Sequence, residues 1–110
     1  MRFVIKEVSE SEIMLEVHGT LMGMESTESF EDQLKILDES GKKIIILNFT
    51  DVDTMNSSCI GKIFRYQKNL AETKRTIKIR GCSDNLLKTF HLIKLERLIS
   101  IKKEYKPNED

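Results

Sequence analysis

The side chains able to do chemistry are few: the adjacent serines Ser57 and Ser58, the thiols Cys59 and Cys82, the imidazoles His18 and His91, and the carboxylates Asp51 and Asp53. A serine or cysteine nucleophile needs a base and a group that orients the base, and the sequence around Ser57 and Cys59 supplies neither. There is no Gly-x-Ser-x-Gly, no glycine-rich phosphate loop and no cluster with metal-ligand spacing. His18 and His91 lie far apart and lack Cys or carboxylate neighbours at ligand spacing, so neither is read as a metal ligand. Asp51 and Asp53 read as a solvated turn, and the two cysteines as buried, inert thiols. No catalytic residue, metal or cofactor is expected. What remains is the serine pair. It opens a segment rich in helix-capping residues, Asn56-Ser57-Ser58. A helix start presents free N–H groups and the positive end of the dipole, a favourable seat for a phosphate carried by either serine.

The elements that must hold this pair follow from the hydrophobic period, which switches between two and about 3.6 along the chain. Alternating apolar residues predict two strands, about Arg2–Glu7 and Ile13–His18, with Gly19 ending the second. Ser26-Thr27 reads as an N-cap pair, followed by a helical face of Phe30, Leu34 and Leu37 and a stop at Ser40-Gly41. Ile44–Leu47 is apolar without alternation, as expected of a strand in mid-sheet. The run Asn48–Met55 then leads into the serine helix, whose stripe Ile60, Ile63, Phe64 belongs to the core. Ile77 and Ile79 mark a strand, Ser83-Asp84 caps a third helix bearing Leu86, Leu87 and Phe90, and Leu98–Ile101 reads as a last strand. The order β-β-α-β-α-β-α-β describes a mixed, mostly parallel α/β sheet with helices packed against it and an antiparallel edge from the first two strands. In such a sheet, function concentrates where a strand hands over to a helix.

Composition sets the outer limits. With 110 residues, 39% of them hydrophobic, the chain holds one domain, taken as 1–101, and a polar tail, 102–110, expected to fray. Eighteen basic residues balance 18 acidic ones, which argues against a nucleic-acid or anionic-membrane binder. The longest apolar run, Ile44–Leu47, is far too short to span a bilayer, the N-terminus lacks a secretory signal, and two cysteines make no disulfide scaffold. A cytoplasmic protein is expected.

The segment before the first helix, Val17-His18-Gly19-Thr20-Leu21, and the later set Val52, Met55, Ser57-Ser58, Ile60, Gly61 resemble the STAS domain of anti-sigma factor antagonists, whose pattern is Val-x-x-Met-Asp-Ser-Ser-Gly-Leu-Gly. The resemblance runs from about Phe3 to Ile101. It implies a STAS-like fold and places the family's regulatory phosphoserine on Ser57, with Ser58 beside it. Asn56 stands where the family has aspartate, Asn48 where an aspartate closes the preceding strand, and Cys59 where the first motif glycine falls. With nine residues after Ile101, the family's final helix is expected to be missing or stunted.

The resemblance further implies a switchable binding module rather than an enzyme. Unphosphorylated, it binds an anti-sigma factor that is also a serine kinase; phosphorylation of the serine breaks the complex, and a PP2C-like phosphatase resets it. A monomer or weak dimer is expected. The partner surface is expected to comprise Met22, Met24 and Glu25, together with Met55, Asn56, Ser57, Ser58 and Lys62; exposed methionines suit adaptable contacts. The alternative within the family is a scaffold subunit of a larger stress-signalling assembly.

Overall fold

Residues 1–107 are described by the computed structural model. Strand β1 (Arg2–Glu7) turns back into β2 (Glu12–His18). Helix α1 (Met24–Glu39) leads to β3 (Ile44–Asp51), α2 (Ser57–Ala71) leads to β4 (Thr76–Cys82), and α3 (Asp84–Leu92) leads through a 3-10 turn at Leu95–Arg97 to β5 (Ser100–Lys102). The sheet order is β1-β2-β3-β4-β5. The β1–β2 pair is antiparallel and every other neighbour is parallel, each crossover carrying one helix. This single α/β domain has the element order and mixed sheet expected from the sequence, with the continuously apolar β3 at its centre.

Register explains which face is buried. Ile5, Leu15, Leu47, Ile79 and Ile101 lie abreast across all five strands. Ile5, on the edge strand, stays exposed; the others, with Ile13, Val17, Ile45, Phe49 and Ile77, face the helices, and Phe30 and Leu34 of α1, Cys59 and Ile63 of α2, and Leu86 and Phe90 of α3 complete one cluster. Phe49 stands between Phe30 and Phe90, ring centroids 6.1 and 6.4 Å away. Even-numbered positions point to the other face, where Met14 and Ile46 lie in register between Lys6 and Lys78, until a register shift beyond Leu47 sets Cys82 opposite Phe49 and turns it into the core. No helix follows β5 among the described residues.

Three boundaries depart from expectation. Helix α1 begins at Met24, capped by the extended Gly23, not at Ser26-Thr27. Ser26 and Thr27 sit one turn inside, and their hydroxyls bond back to the Gly23 backbone at 3.0 and 2.8 Å. The expected last strand is displaced: Leu98 lies in the turn, and β5 runs Ser100–Lys102. Ordered pairing also reaches the segment expected to fray, since the Cys82 N–H donates to Lys103 O at 3.0 Å; residues 108–110 of that tail lie outside the described residues. Lys42, beside the β1–β2 turn, is half-buried. Its ammonium ties Glu7 (2.6 Å) and the Glu10 carbonyl (2.9 Å), and this partner holds the Glu7 carboxyl below its ordinary range.

Candidate functional site

The handover from β3 to α2 is built around Asn56. Its backbone is extended, so it caps α2, and its Oδ1 accepts the Cys59 N–H at 2.8 Å. Its Nδ2 donates to the Met22 carbonyl (3.0 Å) and to Thr27 Oγ1 (2.8 Å). The Thr27 hydroxyl proton is committed to Gly23 O, so this hydroxyl can only accept from Asn56. Beneath the amide, a short parallel bridge pairs Leu21 with Met55: Leu21 N–H donates to Thr54 O (3.1 Å) and Asn56 N–H to Leu21 O (2.7 Å). One amide side chain and one bridge therefore lock the β2–α1 loop to the start of α2.

Because Asn56 does the capping, the serines are released from it. Ser57 and Ser58 occupy the first turn of α2, both exposed, and neither hydroxyl makes a hydrogen bond among the described residues. No acidic side chain lies in that first turn. The positive end of α2 thus meets solvent with two free hydroxyls and no acidic side chain in its own first turn. Gly61 lies one turn further on, exposed, with nothing within 4 Å of the position a Cβ would take. The fold does not require a glycine there, and its absence of side chain leaves a flat step beside the serines.

Met22 and Met24 are 53% and 80% exposed, with Glu25 exposed beside them at the opening of α1. The Asn56–Met22 bond places this loop directly against the serine turn. Two residues expected on the same surface do otherwise. Met55 is a correction: only 8% exposed, it belongs to the core cluster, because its bridge to Leu21 turns its side chain inward. Lys62 is mostly covered and reaches sideways to α1, its Nζ 3.3 Å from Glu31 Oε1, where Arg65 grips the other carboxylate oxygen. It braces the two helices.

Cys59 points into the core, its Sγ 3.6 Å from Thr27 Oγ1. Burial pushes this thiol up from its ordinary pKa, outweighing the Thr27 hydrogen bond and the Lys62 charge that act the other way. Burial does the same for Cys82, helped by the Asp84 carboxylate. Both thiols are free and buried, so a low-pKa nucleophile is not what this helix start provides. Among the described residues no group of three His, Cys, Asp or Glu could hold a metal ion.

Two members of this neighbourhood escape a sequence reading. Thr27 looks like a cap residue but works as the fulcrum between Gly23, Asn56 and Cys59. His18 and Asp51 pair at 2.6 Å across the ends of β2 and β3; a contact 33 residues apart that depends on parallel register leaves no local signal, and Asp51 is thereby more than a solvated turn residue.

The STAS domain family model matches residues 4–107. No curated protein matches the chain by sequence. Among solved structures, the chain is similar to the Bacillus cell fate determinant SpoIIAA in its phosphorylated form, with a TM-score of 0.71, 19% identity, and 92% of this chain and 91% of the other covered. It is similar to an anti-sigma factor antagonist from Mycobacterium paratuberculosis, with a TM-score of 0.79, 10% identity, and coverage of 91% and 83%. It is also similar to a sulfate transporter family protein from Wolinella succinogenes, with a TM-score of 0.69, 18% identity, and coverage of 90% and 82%. Identities this low speak to the fold alone; the family model, matching nearly the whole chain, settles membership, and the chain belongs to the STAS domain family.

Proposed function

We propose that this STAS domain is an anti-sigma factor antagonist: a non-catalytic module that docks on an anti-sigma factor with serine-kinase activity and is switched off by phosphorylation of Ser57. The observation that carries the reading is the pair of exposed, unbonded serine hydroxyls at the positive end of α2, beside the exposed Met22 and Met24. A hydroxyl that the fold does not use can take a phosphate without disturbing the cap, which belongs to Asn56. The STAS resemblance points to the same serine, and one structural relative is named in its phosphorylated form.

The physics of the switch is local. A phosphoserine adds about −1.5 to −2 charges. The dipole and free N–H groups of α2 tolerate that charge inside the domain. A docked partner presenting a like charge about 4 Å away would be repelled by about 4 kcal/mol at an effective dielectric near 20, close to a thousandfold in affinity. The interface can break while the domain stays folded. A PP2C-like phosphatase would restore the hydroxyl.

Phosphosite mapping on protein recovered from its own cells tests the modification, and titration of the co-purifying kinase with wild type, Ser57→Ala and Ser57→Asp tests the switch. Phosphate on Ser57 is expected, with Ser57→Ala binding close to wild type and Ser57→Asp weakened at least tenfold. Binding of Ser57→Asp at wild-type strength would remove the switch from this residue.

A further inference from the structure

The far end of the domain carries a second surface that the antagonist site does not use. After α3 the chain turns through Lys94, a non-glycine residue with φ +61°, and the 3-10 turn that follows. This bend leaves Leu92 and Leu98 75% and 57% exposed. Single exposed leucines are ordinary on a protein surface, but two large ones bracketing one tight turn are a candidate contact. The surrounding charge is one-sided. Lys88, Lys94 and Arg97 are exposed and make no ion pair among the described residues. The nearby acids have partners of their own: Glu96 faces His91 within the turn at 3.1 Å, and Asp84 holds Lys103 at 2.6 Å.

The complement of this surface is present on the same chain. Helix α1 contains six carboxylates and one lysine. Glu28, Asp32, Ile36 and Glu39 follow one another at helical spacing, opposite the buried face of Thr27, Phe30, Leu34 and Leu37. The three acids of this stripe are exposed and unpaired among the described residues, and Ile36 is 49% exposed among them. Other charges pair locally, Glu31 of α1 with Lys62 and Arg65 and Asp38 with Arg75, whereas the acids of this stripe and the cations of the leucine turn are left without partners among the described residues, on two separate surfaces.

We propose that these two surfaces dock on each other between copies of this chain, the leucine turn with its cations seating on the outer stripe of α1 of a second molecule. The contact is head-to-tail, so it joins copies into chains or rings rather than closing a two-fold dimer. It is small and held by rim charges, so it is weak and sensitive to salt. It leaves the serine turn of α2 uncovered.

Sedimentation velocity of the full chain over a concentration series, at low and high salt, tests this. Wild type is expected to gain mass with concentration at low salt and to return to monomer at high salt. Lys88→Glu/Arg97→Glu and Glu28→Lys/Asp32→Lys each weaken the association by about tenfold or more. Mixing the two variants is the decisive arm: each offers the other one native surface, and the reversed charges on their altered surfaces are again complementary, so association returns in the mixture alone. Far-UV circular dichroism confirms that both variants, changed only at exposed positions, remain folded. A wild type that stays monomeric throughout, an association indifferent to both charge pairs, or a mixture that stays monomeric overturns the proposal. So does a monomer whose leucine turn instead captures a poly-glutamate peptide or anionic lipid vesicles.

Discussion

Asn56 shows what a single amide can do that a carboxylate cannot. Two of its bonds, to Met22 O and Thr27 Oγ1, require protons on the side chain, and the Thr27 proton is already given to Gly23. An aspartate here would keep the cap to Cys59 but set its second oxygen against a carbonyl. Asn56→Asp is therefore expected to destabilise the domain by about 1–3 kcal/mol, the cost of leaving buried partners unmade. For a domain of this size that lowers the midpoint of thermal unfolding by several degrees. A thermal melt at neutral pH checks it; an unchanged melting temperature would mean that the network rewires freely around the acid. The residue types at this spot were legible from the sequence, because a Ser-Ser pair after a cap residue is a local pattern. Their division of labour was not. Nothing local says that Asn56 takes the cap and frees the serines, that Met55 turns inward, or that Lys62 leans to Glu31. The cap bond itself is local, but the Asn56 contacts to Met22 and Thr27, the Met55 bridge to Leu21 and the Lys62 reach to Glu31 each depend on a partner roughly thirty residues away.

At the scale of elements, the order is readable throughout and the boundaries of the short elements are not. Helices α1 and α2 have enough turns, and strand β3 a long enough apolar run, for the pattern to outweigh noise. β5 has three residues, and the turn before it uses a lysine rather than a glycine in the left-handed region, so the last strand is expected but its start falls two residues later than the pattern suggests. The N-terminus of α1 was misplaced for a related reason: Ser26 and Thr27 are capping types, but they bond backward from within the first turn. Helix α2 carries a testable compromise. Gly61 sits in its interior, exposed and with room for a side chain, where glycine costs about 1 kcal/mol relative to alanine. Gly61→Ala is expected to raise stability by up to that amount and, if the step beside the serines receives the partner, to weaken docking of the co-purifying kinase. A chemical denaturation curve and a binding titration on the same variant separate the two effects. Stabilisation without any loss of binding would exclude the face of α2 at Gly61 from the interface.

Across the whole molecule, one face of the sheet carries the helices and the core, and the division of the strands into odd and even positions decides what lies on each side. That division followed from alternation, which is why the core was legible; the burial of Met14 and Ile46 on the opposite face was not, because they lie at the polar phase of their strands. The two thiols belong to the helical side and link the packing to pH. Burial raises both pKa values in the folded chain, whereas in the unfolded chain they titrate near 8.5. Below that value both states hold the thiol protons and folding gains in full. As pH rises past it, the unfolded chain releases protons that the folded chain retains, so stability falls, by at most about 1.4 kcal/mol per pH unit for each thiol, until the folded pKa is reached. Urea unfolding between about pH 7.5 and 9.5 is expected to show a declining midpoint, and the slope should flatten in Cys59→Ala/Cys82→Ala even though that variant starts lower for its lost packing. The same burial predicts that a thiol reagent modifies native protein only as fast as the fold opens. Rapid native labelling of either cysteine, or an alkaline slope unaltered by the double substitution, would show that the thiols reach solvent and do not serve as core.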